Sequence, residues 1–469
     1  MKKKLLFLAV SIVFCFFGTA QNPKIRAYFN QAVNTGVSTG VKANYLPSTF
    51  PDTIAAFINK AKLSVDVAQY DFTAGTELNV ISTACNNAHA RGVVVRWIGD
   101  GTQANTGWAN FVAGISTLNS PVMTGYIMHN KFMIIDANSA TATDCWVLTG
   151  TNDWGQGQSN TCYNNMVAFQ SQPMAKDYTT EFNQMWGGTG ATPTTANEKW
   201  STSKTASAVT SYNVNGTTVD VYFSPMDNPV SHLLAAMNTA KSDLFFGIYT
   251  FTDNSIATQA VNQYKAGINV RGMMDSYSVS TTAYPNPAYN TIVAGLPAAN
   301  WKVYTGTSTS YIYHNKTMLI DAMSPGSNSQ VWTGSYNWTG AGTDKNDENS
   351  VLIHDATITN EYYQSFCHNF TDLGGAACTA LPLGIEDNNQ AEQKYLIYPN
   401  PFSDALTIKV NGVSEKRIII IRDELGKIIL ENDYSGTDEI NLNLNKVSAG
   451  IYFVSITSES GTYFQKIVK

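Results

Sequence analysis

The sequence is short of charge. Asp, Glu, Lys and Arg make up only 14% of its 469 residues, and the balance is acidic, at −6. No cluster of lysines or arginines stands near any candidate motif. The basic footprint that phosphate-backbone binding normally leaves is therefore missing, and no stable nucleic-acid binding is expected. No C-x-x-C pair occurs, which removes the usual structural zinc frames; no metal and no cofactor is expected. Long apolar runs are also missing. The one candidate, Leu5 to Phe17, is shorter than the ~20 residues a membrane span needs. Lys2, Lys3 and Lys4 precede it and Gly18-Thr19-Ala20 follow, so residues 1–20 read as a secretory signal cleaved before Gln21. Cys15 does not read as a lipoprotein site, because Phe14 stands where a small residue is wanted. Without this segment the formal charge falls from −6 to −9.

What remains is 43% apolar in the whole chain, enough for a sizeable core. The length predicts two to four units at roughly 100–200 residues each. Residues 21–190 read as a first lobe, 191–218 as a Thr/Ser/Ala/Asn-rich linker, 219–380 as a second lobe and 381–394 as a second linker. The tail, 395–469, reads as a small β-sandwich, with short alternating strands such as Leu406–Val410 and Gly450–Ile456. The two lobes repeat one another. Leu63-Ser-Val-Asp-Val-Ala-Gln-Tyr70 parallels Ser242-Asp-Leu-Phe-Phe-Gly-Ile-Tyr249, and the run ending Gly99-Asp100 parallels the run ending Met274-Asp275. Helical spacing over Thr53–Ala61, Glu77–Ala90, Val230–Ala240 and Ile256–Lys265 alternates with apolar strands, which predicts α/β lobes. Export permits disulfides, and Cys145–Cys162 and Cys367–Cys378 are the expected pairs, with Cys85 free and buried.

Histidine is scarce, at six residues, yet two stand in one repeated phrase. His129-Asn130-Lys131-x4-Asp136 returns as His314-Asn315-Lys316-x4-Asp321. In strand alternation the histidine and lysine share a face. A phosphodiester must have its charge neutralised, be attacked, and have its leaving oxygen protonated. Lysine supplies point-like charge. Histidine titrates near neutrality and serves as nucleophile or general acid. Two copies let one histidine attack while the other protonates. Asp136 and Asp321 stand five residues after their lysines, where a structural salt bridge is expected.

This pattern resembles the phospholipase D superfamily, marked by H-x-K-x4-D followed by G-S-x-N. The resemblance covers both lobes and implies two α/β lobes with central mixed sheets related by a pseudo-twofold. It also implies one site between them, a phosphohistidine intermediate and no required metal. It makes His129 the nucleophile and His314 the general acid, with Lys131, Lys316, Ser335 and Asn337 on the phosphate. Glu348 is expected behind the histidine of its own copy. Copy one departs: its turn reads Thr149-Gly150-Thr151-Asn152-Asp153-Trp154. Thr151 and Asn152 are then the expected substrate-side donors, Asp153 replaces Asn in a supporting position, and Asn164 falls where copy two has Glu348. The tail, with Tyr398-Pro-Asn-Pro-Phe402, Leu425-Gly-Lys427, Gly450-Ile-Tyr-Phe-Val454 and Lys466–Lys469, resembles the C-terminal sorting domain of the type IX secretion system; a binding module is the other reading.

The resulting expectation is a secreted or cell-surface phosphodiesterase of phospholipase D type. It would hydrolyse or transfer phosphatidyl groups, make transient membrane-surface contact, meet the type IX machinery and act as a monomer. An extracellular endonuclease of the same superfamily and a non-catalytic surface-binding protein are the alternatives.

Overall fold

In the computed structural model, residues 22–155, 157–306, 311–324, 326, 328–379, 395–410, 416–423, 427–436, 439–458 and 461–469 are described. The expected signal segment and the linker at 381–394 lie outside them. Contacts divide the chain into two compact units, Met1–Leu381 and Pro382–Lys469.

The first unit is α/β and holds both lobes. In the first, β1 (Ile25–Phe29), β2 (Asn44–Tyr45), α1 (Phe50–Ile58), β3 (Ser64–Gln69), α2 (Asn79–Ala90), β4 (Val94–Gly99), β5 (Ser116–Asn119), β6 (Lys131–Ile135), β7 (Trp146–Gly150), β8 (Asn165–Phe169) and α3 (Gln172–Trp186) follow in order. In the second come β9 (Ser211–Val214), β10 (Thr217–Ser224), α4 (Pro229–Met237), β11 (Asp243–Ile248), α5 (Asn254–Lys265), β12 (Asn269–Asp275), α6 (Pro287–Gly295) and β13 (Trp301–Tyr304). They are followed by β14 (Lys316–Ile320), β15 (Gln330–Gly334), α7 (Gly340–Asp344), β16 (Glu348–His354) and α8 (Ala356–Asp372). Each lobe has an eight-stranded sheet. The orders are β2-β1-β8-β7-β6-β3-β4-β5 and β13-β12-β11-β14-β15-β16-β10-β9, so seven strands recur in the same relative order. Both sheets are mixed: β3, β4 and β5 run parallel, while β6 runs antiparallel to β3. Helices α1 and α4 open on Pro51 and Pro229, where proline's fixed φ suits a first turn. Both end three residues earlier than their apolar spacing predicts, at Ile58 and Met237, with Asn59 and Asn238 as C-caps.

The lobes interlock. Tyr178 of α3 packs edge-on against Phe223 of β10, and Tyr362 of α8 packs edge-on against Phe29 of β1, both at 4.9 Å between ring centroids. Each lobe's last helix thus covers the other lobe's first long strand, and one apolar core runs through both. The stretch between the lobes is part of this packing. Its Lys204 is buried, pairs with Glu181, lies 2.8 Å from Asp347 and donates to the Ser224 carbonyl.

The motif aspartates hold the backbone. Asp136 accepts from the N–H groups of Lys62, Leu63 and Ser64, and Asp321 from those of Lys241, Ser242 and Asp243. Both stand at positive φ, 54° and 51°, which aspartate tolerates better than most residues. The expected salt bridge is not formed: Lys62 pairs with Asp144 instead. A short carboxylate in a left-handed turn reaches three consecutive N–H groups, which a distant lysine cannot replace. Asp321→Ala is expected to cost ~2–3 kcal/mol in urea unfolding, since it orphans buried donors.

Cys367 and Cys378 are bonded. Cys145 and Cys162 are both buried and are not bonded to each other, against expectation. Cys145 precedes β7 and Cys162 precedes the antiparallel β8. They sit at opposite ends of that pair, about 16 Å apart along five residues of strand, well beyond disulfide reach. Cys85 is buried and free, and burial raises its thiol pKa.

The second unit holds two sheets, β17 (Tyr395–Tyr398), β18 (Ala405–Val410) and β21 (Glu439–Asn443) in one, and β19 (Arg417–Asp423), β20 (Ile428–Tyr434), β22 (Ile451–Ser458) and β23 (Gly461–Val468) in the other. Leu406, Ile408, Ile419, Ile421, Val454 and Ile456 share one core, with alternate residues of β18 and β21 facing out.

Candidate active site

Both histidines precede their strands, which begin at the lysines. Their approach is fixed by a matched pair of carboxylates at the ends of β4 and β12. Asp100 accepts from the N–H of Met128 at 2.6 Å, and Asp275 from that of Tyr313 at 2.8 Å. These are the residues immediately before each histidine. The opposite lobe completes the seating. His129 N–H donates to the Asp347 carbonyl, and Tyr163 N–H donates to the Ile312 carbonyl.

Behind each ring, the supporting residue also comes from the other lobe. His129 Nδ1 lies 2.7 Å from Glu348 Oε2 of β16. His314 Nδ1 lies 3.0 Å from Asn164 Oδ1, just before β8. Glu348 therefore serves the first histidine, which corrects the expectation that it supports its own copy. The hydroxyls expected on the substrate are committed here. Ser335 donates to Glu348 at 2.7 Å, and Thr151 donates to Asn164 at 2.9 Å. An amide oxygen only accepts, so His314 carries a proton on Nδ1.

Both rings and both lysines are buried, with Lys316 fully enclosed. Each lysine also lies over a half-buried tyrosine of its own lobe: Lys131 Nζ is 4.9 Å from the Tyr70 ring and Lys316 Nζ 5.4 Å from the Tyr249 ring. The same tyrosines pack edge-on against His129 and His314, at 5.0 Å each. Burial, then Lys131 and Lys316, hold His129 well below its ordinary pKa, and burial and the same lysines do so for His314. Burial and Lys131 also lower Lys316, while burial raises Glu348 to about 8. Charged groups thus crowd a dry pocket that holds positive charge at a cost, the setting in which an entering anion is stabilised.

Asp153 lies inside this cluster. Its carboxylate pairs with Lys131 and lies 3.6 Å from His314 Nε2. Beside it, Asp71 has one buried carboxylate oxygen with no hydrogen-bond partner, and burial and Asp153 raise its pKa to about 6. Asn337 stands at the equivalent place in lobe 2, half-buried, accepting from Thr250 N–H at 3.4 Å. The Asn152 side chain makes no hydrogen bond to the cluster. Its amide is buried without a partner, and it lines a small cavity with Lys131, Leu148, Trp154 and Met166. In the repeat it aligns with Tyr336, a buried core residue.

Other residues of the site carry a weaker sequence signal. Asn165 and Asn349 stitch the lobes: Asn165 donates to Asn315 and accepts from Thr333, while Asn349 accepts from the Lys131 N–H. They follow Asn164 and Glu348 directly, so the repeat itself points to them. Tyr70 and Tyr249 are equally matched across the two copies.

Two duplicated α/β lobes, each giving a buried histidine and lysine to one centre and each holding the other's ring, define a phospholipase D-like architecture. Residues 54–186 and 233–369 match the family described as cardiolipin synthase, PLD-like domain, and the chain belongs to it. Residues 396–469 match the secretion system C-terminal sorting domain. This type IX sorting domain marks the protein for export across the outer membrane, to the cell surface or beyond. Among the described residues, no helix is long and apolar enough to cross a membrane. A protein named phospholipase D from Rickettsia typhi is 26% identical over 149 residues, 32% of this chain and 66% of that protein. A mitochondrial cardiolipin hydrolase from Xenopus tropicalis is 28% identical over 141 residues, 30% of this chain and 60% of that protein. The chain thus spans 60% to 66% of these relatives' length. The crystal structure of Nuc from Salmonella typhimurium, a phospholipase D family member, is 27% identical, covering 34% of this chain and 94% of that one at a TM-score of 0.28.

Proposed function

We propose that this protein is an exported phosphodiesterase that hydrolyses or transfers phosphatidyl groups through a phosphohistidine. The observation that carries this reading is the pair of buried histidines with unlike supports: a carboxylate behind His129 and an amide behind His314. Attack forms a bond from His129 Nε2 to phosphorus and leaves imidazolium charge, which Glu348 is placed to neutralise. The phosphorus–oxygen bond breaks, and the leaving oxygen takes the Nε2 proton of protonated His314. Water then gives a proton to His314, attacks phosphorus and releases His129. Lys131 and Lys316 neutralise the nonbridging oxygens.

Names of relatives point to lipid phosphodiesters, and the acidic body fits a zwitterionic or lipid substrate better than a polyanion. Exposed Val122 and Met123 stand on the loop before His129, exposed Tyr277 and Tyr284 between β12 and α6, and Tyr277 stacks on Tyr249 beside His314. Apolar and tyrosine side chains of this kind suit brief contact with a bilayer surface. The purified protein, incubated with chelator, is expected to release headgroup from phosphatidylcholine vesicles and to leave single-stranded and duplex DNA intact. Cleavage of DNA alone would replace this reading with a nuclease.

The His129–Glu348 pair also sets a pH dependence. Below about 8 the raised Glu348 carboxyl keeps one exchangeable proton in the pair, and a proton on His129 Nε2 blocks attack. Raising the pH removes it, so kcat/KM for a 4-nitrophenyl ester, whose leaving group needs no proton from His314, is expected to rise through that region. Glu348→Gln is expected to lower kcat by about 10²–10³-fold and to displace this limb of the profile. An unchanged limb in that variant would separate Glu348 from the nucleophile.

A further inference from the structure

The two lobes differ in where they place negative charge. Lobe 2 carries the amide Asn337 after its turn and the carboxylate Glu348 behind the opposite histidine. Lobe 1 reverses this, with the carboxylate Asp153 after its turn and the amide Asn164 behind the opposite histidine. Each lobe still supplies one carboxylate and one amide at these positions. Asp153, however, stands at His314 Nε2, the ring edge that must meet the leaving oxygen, and it also holds Lys131.

We propose that Asp153 is a charge selector for the phosphate slot: it makes the site accept a singly charged phosphodiester and reject a doubly charged phosphomonoester. This rests on the reading of Lys131 and His314 as groups that meet the phosphate. Asp153 is buried, and Lys131, its partner, is more deeply buried still, so little water screens the carboxylate from an entering anion. Asp71 adds a second acid beside it with an unpartnered oxygen. A diester brings one negative charge and shares Lys131 with Asp153. A monoester brings nearly two at pH 8 and meets Asp153 as a like charge. Hydrolysis of a diester yields a monoester, so the same repulsion clears the enzyme's own product. In lobe 2 the equivalent Asn337 is neutral, which confines the selection to the lobe facing the leaving group.

The test uses the full chain, its Asp153→Asn and Asp153→Ser variants, and two probes at pH 8, dimethyl phosphate and methyl phosphate. Affinity is read by calorimetric titration, independently of turnover. Wild type is expected to bind dimethyl phosphate at least as tightly as methyl phosphate. Asp153→Asn is expected to tighten methyl phosphate by about tenfold or more, from loss of one like charge a few ångströms away, and dimethyl phosphate by less than about threefold. Equal gains for both probes, or no gain for methyl phosphate, would overturn the proposal. Should neither variant fold, the wild type decides, because tighter binding of methyl phosphate there is equally fatal. A wild type that shows this binding order without hydrolysing any diester would sink the phosphodiesterase reading and keep the selector.

Discussion

His129→Ala is expected to abolish phosphodiester turnover, by about 10⁴-fold or more, with an unchanged circular dichroism spectrum. The ring is buried, but its removal leaves Glu348 held by Ser335 and Asn346, and burial already favours the neutral carboxyl. No charge is stranded, so the fold should tolerate the change. The contrasting variant is His314→Ala. Its loss should be severe for substrates with an alkyl alcohol as leaving group. It should be slight for a 4-nitrophenyl ester, which departs without a proton. In rapid-quench experiments with labelled phosphodiester, His314→Ala should still accumulate label on the protein and His129→Ala should not. Label on the His129→Ala protein would assign the nucleophile elsewhere.

The second large effect is on stability. Lys204→Met should destabilise the first unit by ~3–5 kcal/mol, because it leaves buried carboxylates without their cation. Lys204 pairs with Glu181 of α3 and lies against Asp347, whose other oxygen accepts from Tyr126. Burial already raises Glu181 to about 7 even with Lys204 in place. A carboxyl whose folded pKa exceeds its unfolded value loses stability as pH rises through that interval. Without Lys204 the interval widens upward, so the deficit should be larger at pH 8 than at pH 5, where Glu181 takes up a proton. Urea unfolding at both pH values reads this directly, and an equal deficit at the two would show that Lys204 acts by packing alone.

Most of the fold was legible because the repeat is local. Each apolar strand and helix is written in consecutive residues, and the same string recurs, so the order of elements in one lobe checks the other. The histidines and lysines were legible for the same reason. What the string could not express is contact across the lobes. Glu348 stands beside its own copy's motif in sequence but against the other copy's histidine in space, and nothing in a one-dimensional frame distinguishes the two. The role of Asp136 and Asp321 is not legible in the sequence because their partners are N–H groups, which nearly every residue carries and no motif marks. Lys204 was hidden in a polar stretch that reads as solvent-exposed, since burial of a lysine depends on carboxylates supplied by distant segments.

The exchange of supports across the lobes has a consequence for how such a site can change over generations. Suppose one lobe formed the same site by pairing with an identical copy. Every substitution would then appear twice, and both histidines would receive the same neighbour. Joining the two copies in one chain removes that constraint. A carboxylate can then be kept behind one ring and an amide behind the other, as Glu348 and Asn164 are. The duplication is thus what allows the two halves of the reaction to be tuned separately by single mutations.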